Sequence, residues 1–416
     1  MNAIILVVDR LHAGYLGCYG NSWVATPQFD RLAAESFVFD QAVIDSPRLP
    51  ELYASYWLGS HVGQRRSKPP NADLALPRRL EQAGVATTLI TDETEVSQHV
   101  LADQFGEIIR CDAASDSAEA AGDVAETRLA GAFAVAIDWL AEARGPFCLW
   151  LHVQGLGAAW DAPAEFRRQY ADAEEPLPPD FVAVPCRRLS EDYDPDELLG
   201  ICQAYAGQVS LLDLSLGGLL EALRAGPLGE QTLLAVTSAR GFPLGEHRGI
   251  GAVNDALHGE LVQVPWMLRL PDATGAMDRS QALVQPADLP ATLLDWWSLG
   301  ALHKPGAGRS LLPLVRGETA ALRDHACMMP AGGERGIRTS GWYLRLPADR
   351  DDAAGPARGQ LYAKPDDRWE VNDVADRCAD TAEALQRALA AFEAAAEADA
   401  LDQLAPLDES LVEEFR

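Results

Sequence analysis

The chain has 416 residues, 48% hydrophobic and 23% charged, which supplies a sizeable core and excludes a chain that is disordered as a whole. A formal net charge of -28 excludes nucleic acid and anionic membrane as expected partners, because both would repel it. The seven cysteines (Cys18, Cys111, Cys148, Cys186, Cys202, Cys327, Cys378) are odd in number, scattered and without a CxxC pair. That pattern points to free thiols in a reducing cytoplasm rather than a disulfide framework or a zinc site.

In chain order, "AIILVVD" reads as a buried parallel strand closed by a carboxylate. Its apolar run is too short for a signal peptide, and no run of apolar residues reaches spanning length, so a cytoplasmic location is expected. "TPQFDRLAAES" opens with a Thr-Pro start signal and carries a helical period. "VATTLIT", "FCLWLHV" and "TLLAVTS" are further buried strands. Between them, "LAGAFAVAIDWLAEA" and the run from Asp196 to Ala225 predict long amphipathic helices. "EEPLPPDFVAVP" and "KPGAGRS" are loops, and "DLPATLLDWWSLG" is a short helix. Beyond residue 325 the texture changes. "GIRTSGWYLRLP" and "GQLYAKPD" predict antiparallel strands, followed by the Ala-rich helix "DTAEALQRALAAFEAAAEA". The expected layout is an α/β domain over 1–325 and a small α+β domain over 326–416, ending in a helix and an acidic tail.

The wording of these segments resembles the sulfatase family of the alkaline phosphatase superfamily. The landmarks are "ILVVDRLHAGYLGCYGNSWVATPQFDRLA", "AYAGQVSLLD", "TLLAVTSARGFPLGEH", "ELVQVPWMLRLP", "DLPATLLD", "GRSLLPLVRG", "GIRTSGWYLRL" and "GQLY" with "NDVAD", in the family's order. The resemblance implies a large mixed sheet sandwiched by helices, plus a small C-terminal domain with a short antiparallel sheet. It also implies sulfuric ester hydrolase chemistry. A Cys or Ser in C-x-P-S-R becomes the nucleophile, and a dication on hard oxygen ligands positions the ester. Arg, Lys and His side chains surround the sulfate.

Laid on that pattern, "SPRLPELYASYWLG" matches at Ser46, Pro47, Ala54, Ser55 and Gly59, but puts Leu49 at the nucleophile and Tyr53 at the arginine. Ser46 and Ser55 remain as substitute nucleophiles, more simply read as a helix cap and a helix-face hydroxyl. Asp9 occupies the first metal-ligand position, followed by Arg10, and the S-D-H-G turn reads Ser238, Ala239, Arg240, Gly241. Asp92 and Thr94 fall at the Lys and His, and Gly157 at the His after the "LWLH" strand. One oxygen ligand does not hold a hard dication that takes roughly six to eight, so no metal and no cofactor are expected. His152 reads as a core-edge histidine, Glu246 and His247 as surface-loop residues, and Asp324-His325 as a pair without a third ligand nearby.

The implied reading is a degenerate family member, a non-catalytic interaction or scaffold protein with a protein partner or a second copy of itself. The alternatives are a binding module for a small anionic (sulfated or phosphorylated) ligand through Asp9, Arg10, Arg48 and Arg240, or a hydrolase with an atypical nucleophile. A pocket with Arg10, Arg48 and Arg240 open to solvent favours anion binding, whereas its occlusion by Leu49, Tyr53 and Trp57 favours a scaffold. The family fold brings the ends of two strands together, so Arg240, with Arg10, is expected to pair with Asp9 where the dication sits in relatives.

Overall fold

The apolar run at the start of the chain forms β1 (Asn2–Val8), in which every residue is buried. Burial on both faces is what a central parallel strand requires, and it explains the absence of polar alternation. The structure is a computed structural model describing residues 1–65, 71–111, 119–226, 228–252, 256–302, 308–348 and 358–413. It contains two compact units. The first comprises residues 1–38, 80–254 and 264–279, and the second comprises 39–79, 255–263 and 280–416.

In the first unit β1 lies between two parallel neighbours, Phe147–Val153 (β5) and Thr232–Ser238 (β7), with Val8 opposite both Val153 and Ser238. Ala86–Thr91 (β3) continues beyond β5, and Glu107–Arg110 (β4) beyond β3, both in parallel. Gln263–Arg269 (β9) pairs antiparallel with β7, so the sheet is mixed. The helices Arg128–Glu142 and Pro195–Ala225 pack on each other and bury Leu129, Phe133, Ala136, Val209, Leu212 and Leu216 in one core with the strands. The C-terminal ends of β1, β5 and β7 lie together, and in an open α/β sheet that is where a ligand crevice forms.

The second unit holds β2 (Phe37–Val43) and β10 (Arg279–Val284), next to each other in the sheet order. It also holds the antiparallel sheet Ala326–Met328 (β11), Arg335–Arg338 (β12), Trp342–Leu346 (β13) and Gln360–Ala363 (β14). The helix Ala379–Glu397 covers that sheet through Leu385, Leu389 and Phe392. Two strands of two residues each in the first unit, β6 (Arg187–Arg188) and β8 (Gly249–Ile250), form a short antiparallel ribbon.

The α/β class and the small C-terminal antiparallel sheet are as the sequence implies, but the units are not separated by one cut at residue 325. Residues 39–79 and 280–325 lie with the C-terminal segment. The reason is packing. Val62 joins the core of Ile337, Leu385 and Phe392, and the Met329 amide donates to the Asp45 carbonyl at 2.8 Å. Among the described residues, no helix is long and apolar enough to cross a membrane.

Candidate functional site

Beyond β1 the chain must turn sharply, and Arg10 does so with a φ of 64°. That is a costly conformation for a non-glycine residue, so the surroundings must hold it. Tyr205, buried on the long helix, provides the clamp: its hydroxyl donates to the Arg10 carbonyl at 2.7 Å and accepts the His12 amide at 2.9 Å. Ser238 ties the end of β7 to the same turn. Its hydroxyl lies 2.7 Å from the Val8 carbonyl and 2.8 Å from the Arg240 carbonyl, and accepts the Leu11 amide at 3.2 Å.

These contacts bring Asp9 and Arg240 face to face. Arg240 Nε donates to Asp9 Oδ1 and Nη2 to Oδ2, each at 2.9 Å, so one guanidinium occupies both carboxylate oxygens. Arg10 Nε stands further off, at 4.0 Å from Asp9 Oδ2. The Asp9 side chain is 3% exposed and that of Arg240 19%. Burial pushes the Asp9 carboxyl up, but Arg240 and Arg10 outweigh it and hold the group below its ordinary range. Asp9 is therefore a buried, ionised carboxylate whose countercharge is an arginine.

Space around the pair is closed by small residues. A Cβ on Gly157 would lie 2.9 Å from Asp9 Oδ2 and 3.0 Å from Arg10 Cγ. A Cβ on Gly155, whose φ is 54°, would lie 2.6 Å from Val8 Cγ1. His152, next to last in β5, is fully buried, and burial pushes its imidazole down to about 4, so it is neutral at pH 7. Asp92 accepts the Gln154 amide at 2.8 Å, and burial pushes its carboxyl up to about 6. Glu246 is not a free surface carboxylate. Its Oε1 lies 3.4 Å from His12 Nε2, and its side chain is only 20% exposed. Sequence reading passed over His12 and Tyr205. A histidine three residues beyond the strand's aspartate was the available signal for the first, whereas nothing marked the tyrosine.

In the second unit, Leu49 begins the helix Leu49–Leu58 and is buried with Leu52, Tyr53, Tyr56 and Trp57. Tyr53 packs edge-on against Trp57, ring centres 4.9 Å apart. Arg48 donates to the Ala331 carbonyl at 2.5 Å and lies 3.8 Å from Glu51. The two serines are engaged. Ser46 Oγ donates to Glu51 at 2.6 Å, and Ser55 Oγ donates to Asp45 at 2.5 Å and accepts from Arg65 at 2.8 Å. Asp324 and His325 touch at 2.6 Å, and the second Asp324 oxygen takes the Leu407 amide.

The sulfatase family model matches residues 1–299. The chain belongs to the sulfatase family. It is similar to human iduronate 2-sulfatase, 24% identical over 59% of this chain and 56% of that protein. The mouse iduronate 2-sulfatase is 23% identical over 72% of this chain and 65% of its own length. The chain therefore spans about half to two thirds of these relatives. Among solved structures it is similar to the phosphonate monoester hydrolase of Agrobacterium radiobacter, with a TM-score of 0.75 and 18% identity over 95% of this chain and 96% of that one. A 2-O GAG sulfatase matches with a TM-score of 0.73 and 18% identity, over 99% of this chain and 95% of that one. At these identities the structures speak to the fold, while the site has to be read from its own residues.

The family's dication is tested against those residues. Both Asp9 oxygens accept from Arg240, and Arg10, Ala239 and Arg240 bring no oxygen donor to the neighbouring positions. A hard cation at Asp9 would have to displace a guanidinium, and the positions that the family pattern gives to its other ligands hold Arg10, Ala239 and Arg240, which offer no side-chain oxygen. The residues do not fit the group.

Proposed function

We propose that this sulfatase-family protein is a non-catalytic interaction or scaffold protein, working in the cytoplasm with a protein partner or a second copy of itself. The observation that carries the reading is the bidentate Arg240–Asp9 pair, which puts a fixed positive charge against the carboxylate at the position that the family resemblance assigns to a dication. Leu49, at the family's nucleophile position, has no heteroatom and is packed into a helix face with Tyr53 and Trp57. Leucine cannot attack a sulfate or phosphate ester under any activation. Ser46 and Ser55 are each committed to a carboxylate within their own helix region. Arg240 and Arg48 also have partners, on Asp9 and on the Ala331 carbonyl, which weakens the anion-binding alternative.

The test is turnover of aryl sulfates and aryl phosphates with and without calcium, alongside melting curves in calcium and in chelator. The expected outcome is no turnover above background and no shift in melting temperature. Turnover that disappears in Ser46→Ala or Ser55→Ala overturns the reading. So does a rise of several degrees on adding calcium, because a ligand bound only to the native state stabilises it. Calorimetric titration with sulfate and phosphate tests the anion-binding alternative, and saturable heat abolished by Arg48→Ala or Arg10→Ala would establish it.

A further inference from the structure

The proline-rich stretch read from sequence as a loop forms one wall of a groove of about 640 Å³ in the first unit, opposite the first turns of the helix Pro195–Ala225. The walls are mainly apolar, with Leu177, Pro179, Phe181 and Val184 facing Ile201. Leu177 is 78% exposed. A mobile loop would fold such a side chain inward, but this backbone is clamped from beneath. The buried Arg167 donates to the Pro179 carbonyl at 2.6 Å and the Phe181 carbonyl at 2.7 Å, and the Trp160 amide donates to the Val182 carbonyl at 2.7 Å. Helix and loop also meet closely at Gly200, where a Cβ would lie 2.9 Å from Pro179 Cδ. The groove is held open before anything binds, so an occupant meets little ordering cost on this side.

The rim is acidic. Asp194, Asp196 and Glu197 line it, and the one arginine among the described lining residues, Arg187, is bound to Glu197 at 2.6 Å. Between residues 172 and 197 the sequence has nine Asp and Glu against two Arg. A second copy would bring the same rim and a net charge of -28, so charge opposes self-association there. We propose that this groove docks an extended segment of a partner protein, with apolar side chains as anchors and lysines or arginines between them. Apolar anchors fill the trough while cations meet the rim, and this rim sets specificity and association rate more than affinity. The inference does not depend on the absence of turnover, so either can fail alone.

The test uses synthetic peptides of about twelve residues, long enough to cross such a groove: alternating Leu–Lys, its Leu–Glu counterpart, and Ser–Lys. Cys186 lines the groove and is the exposed cysteine among the described residues, so its alkylation rate reports occupancy. The Leu–Lys peptide is expected to bind by anisotropy, to slow alkylation of Cys186, and to weaken as salt rises from about 50 to about 500 mM. Leu177→Asp, a change at an exposed side chain, and Asp196→Lys should each weaken it about tenfold or more at unchanged melting temperature. Equal binding of Leu–Glu or Ser–Lys, an unprotected Cys186, or indifference to Leu177→Asp overturns the proposal. A concentration-dependent dimer abolished by Leu177→Asp would also overturn it in favour of a second copy.

Discussion

The end of β1 and the helix Leu49–Leu58 are held by opposite physics. At the first, a buried carboxylate is neutralised by a guanidinium across the strand ends, with Tyr205 and Ser238 fixing the backbone. At the second, leucine and aromatic rings fill one side of the helix, and the buried Asp45 is held by the Ser55 hydroxyl and the Val62 amide rather than by a guanidinium set directly against it. The difference follows from what each position retains. A buried, ionised aspartate needs a countercharge or hydrogen bonds to its oxygens wherever it persists. A position left without a polar group needs only volume and shape.

The largest test of that contrast is the Asp9–Arg240 pair. Arg240→Ala and Asp9→Ala each strand a mostly buried charge and should cost about 3–5 kcal/mol by denaturant unfolding, with the double variant losing much less than the sum. Small additive losses of ~0–1 kcal/mol would place the pair with ordinary surface bridges. The pH dependence has a fixed sign. The folded Asp9 carboxyl lies below its ordinary 3.8, so its contribution is present above that pH and is lost as pH falls through the folded value. The gap between the parent protein and Arg240→Ala should therefore close in acid.

Leu49→Ser probes the other side of the comparison. It leaves a cavity and a hydroxyl in an apolar setting, a loss of about 2–4 kcal/mol, and it should yield no ester turnover. Turnover gained from that one change would show that the rest of the machinery is intact, and would break the contrast.

Much of this was legible in the chain. β1, β3, β5, β7, the two long helices and the Ala-rich C-terminal helix coincide with runs whose apolar period or β-branched content is strong over their whole length. The strands β2, β4, β9 and β10 were not identified. "FVFDQAV" mixes polar residues into its middle, "EIIR" is only four residues long, "QVPWMLR" carries a proline, and "RSQALV" is half exposed. Proline lowers a strand reading even where the tertiary pairing tolerates it. The Asp9–Arg240 contact could be reasoned out because the charges at two aligned positions are complementary. The clamp from Tyr205 could not, since one tyrosine in a 31-residue helix gives no hint of which turn it reaches. The assembly of the second unit from distant segments was equally invisible, because no linker composition marks it.

A smaller effect tests how tightly the charged site is closed. Gly157→Ala places a methyl 2.9 Å from an Asp9 oxygen. Asp9 is fixed by two hydrogen bonds from one guanidinium and has little room to yield, so a loss of about 1–3 kcal/mol is expected from overpacking. If Arg240→Ala is made first, Asp9 can move and the cost of the added methyl should fall. That non-additivity would place the glycine's role in the pair itself rather than in the backbone.

The smallest expected effect concerns the carboxylate in this region that no cation neutralises to the same degree. Asp92 is pushed up to about 6, chiefly by burial and against the Gln154 amide that it accepts. The sign is opposite to that of Asp9. A folded value above the ordinary 3.8 means that the ionised form costs stability above pH 6, and the cost is relieved as pH falls from 6 toward 3.8. Asp92→Asn keeps an oxygen for the Gln154 amide and removes the charge. It should therefore stabilise by about 1 kcal/mol at pH 8, after discounting for the partial exposure of the group, and by about half as much at pH 5. If the variant is destabilised at pH 8, the Asp92 charge is serving as a countercharge. The contrast would then have to be redrawn, with Arg240 and Arg10 balancing Asp92 as well as Asp9.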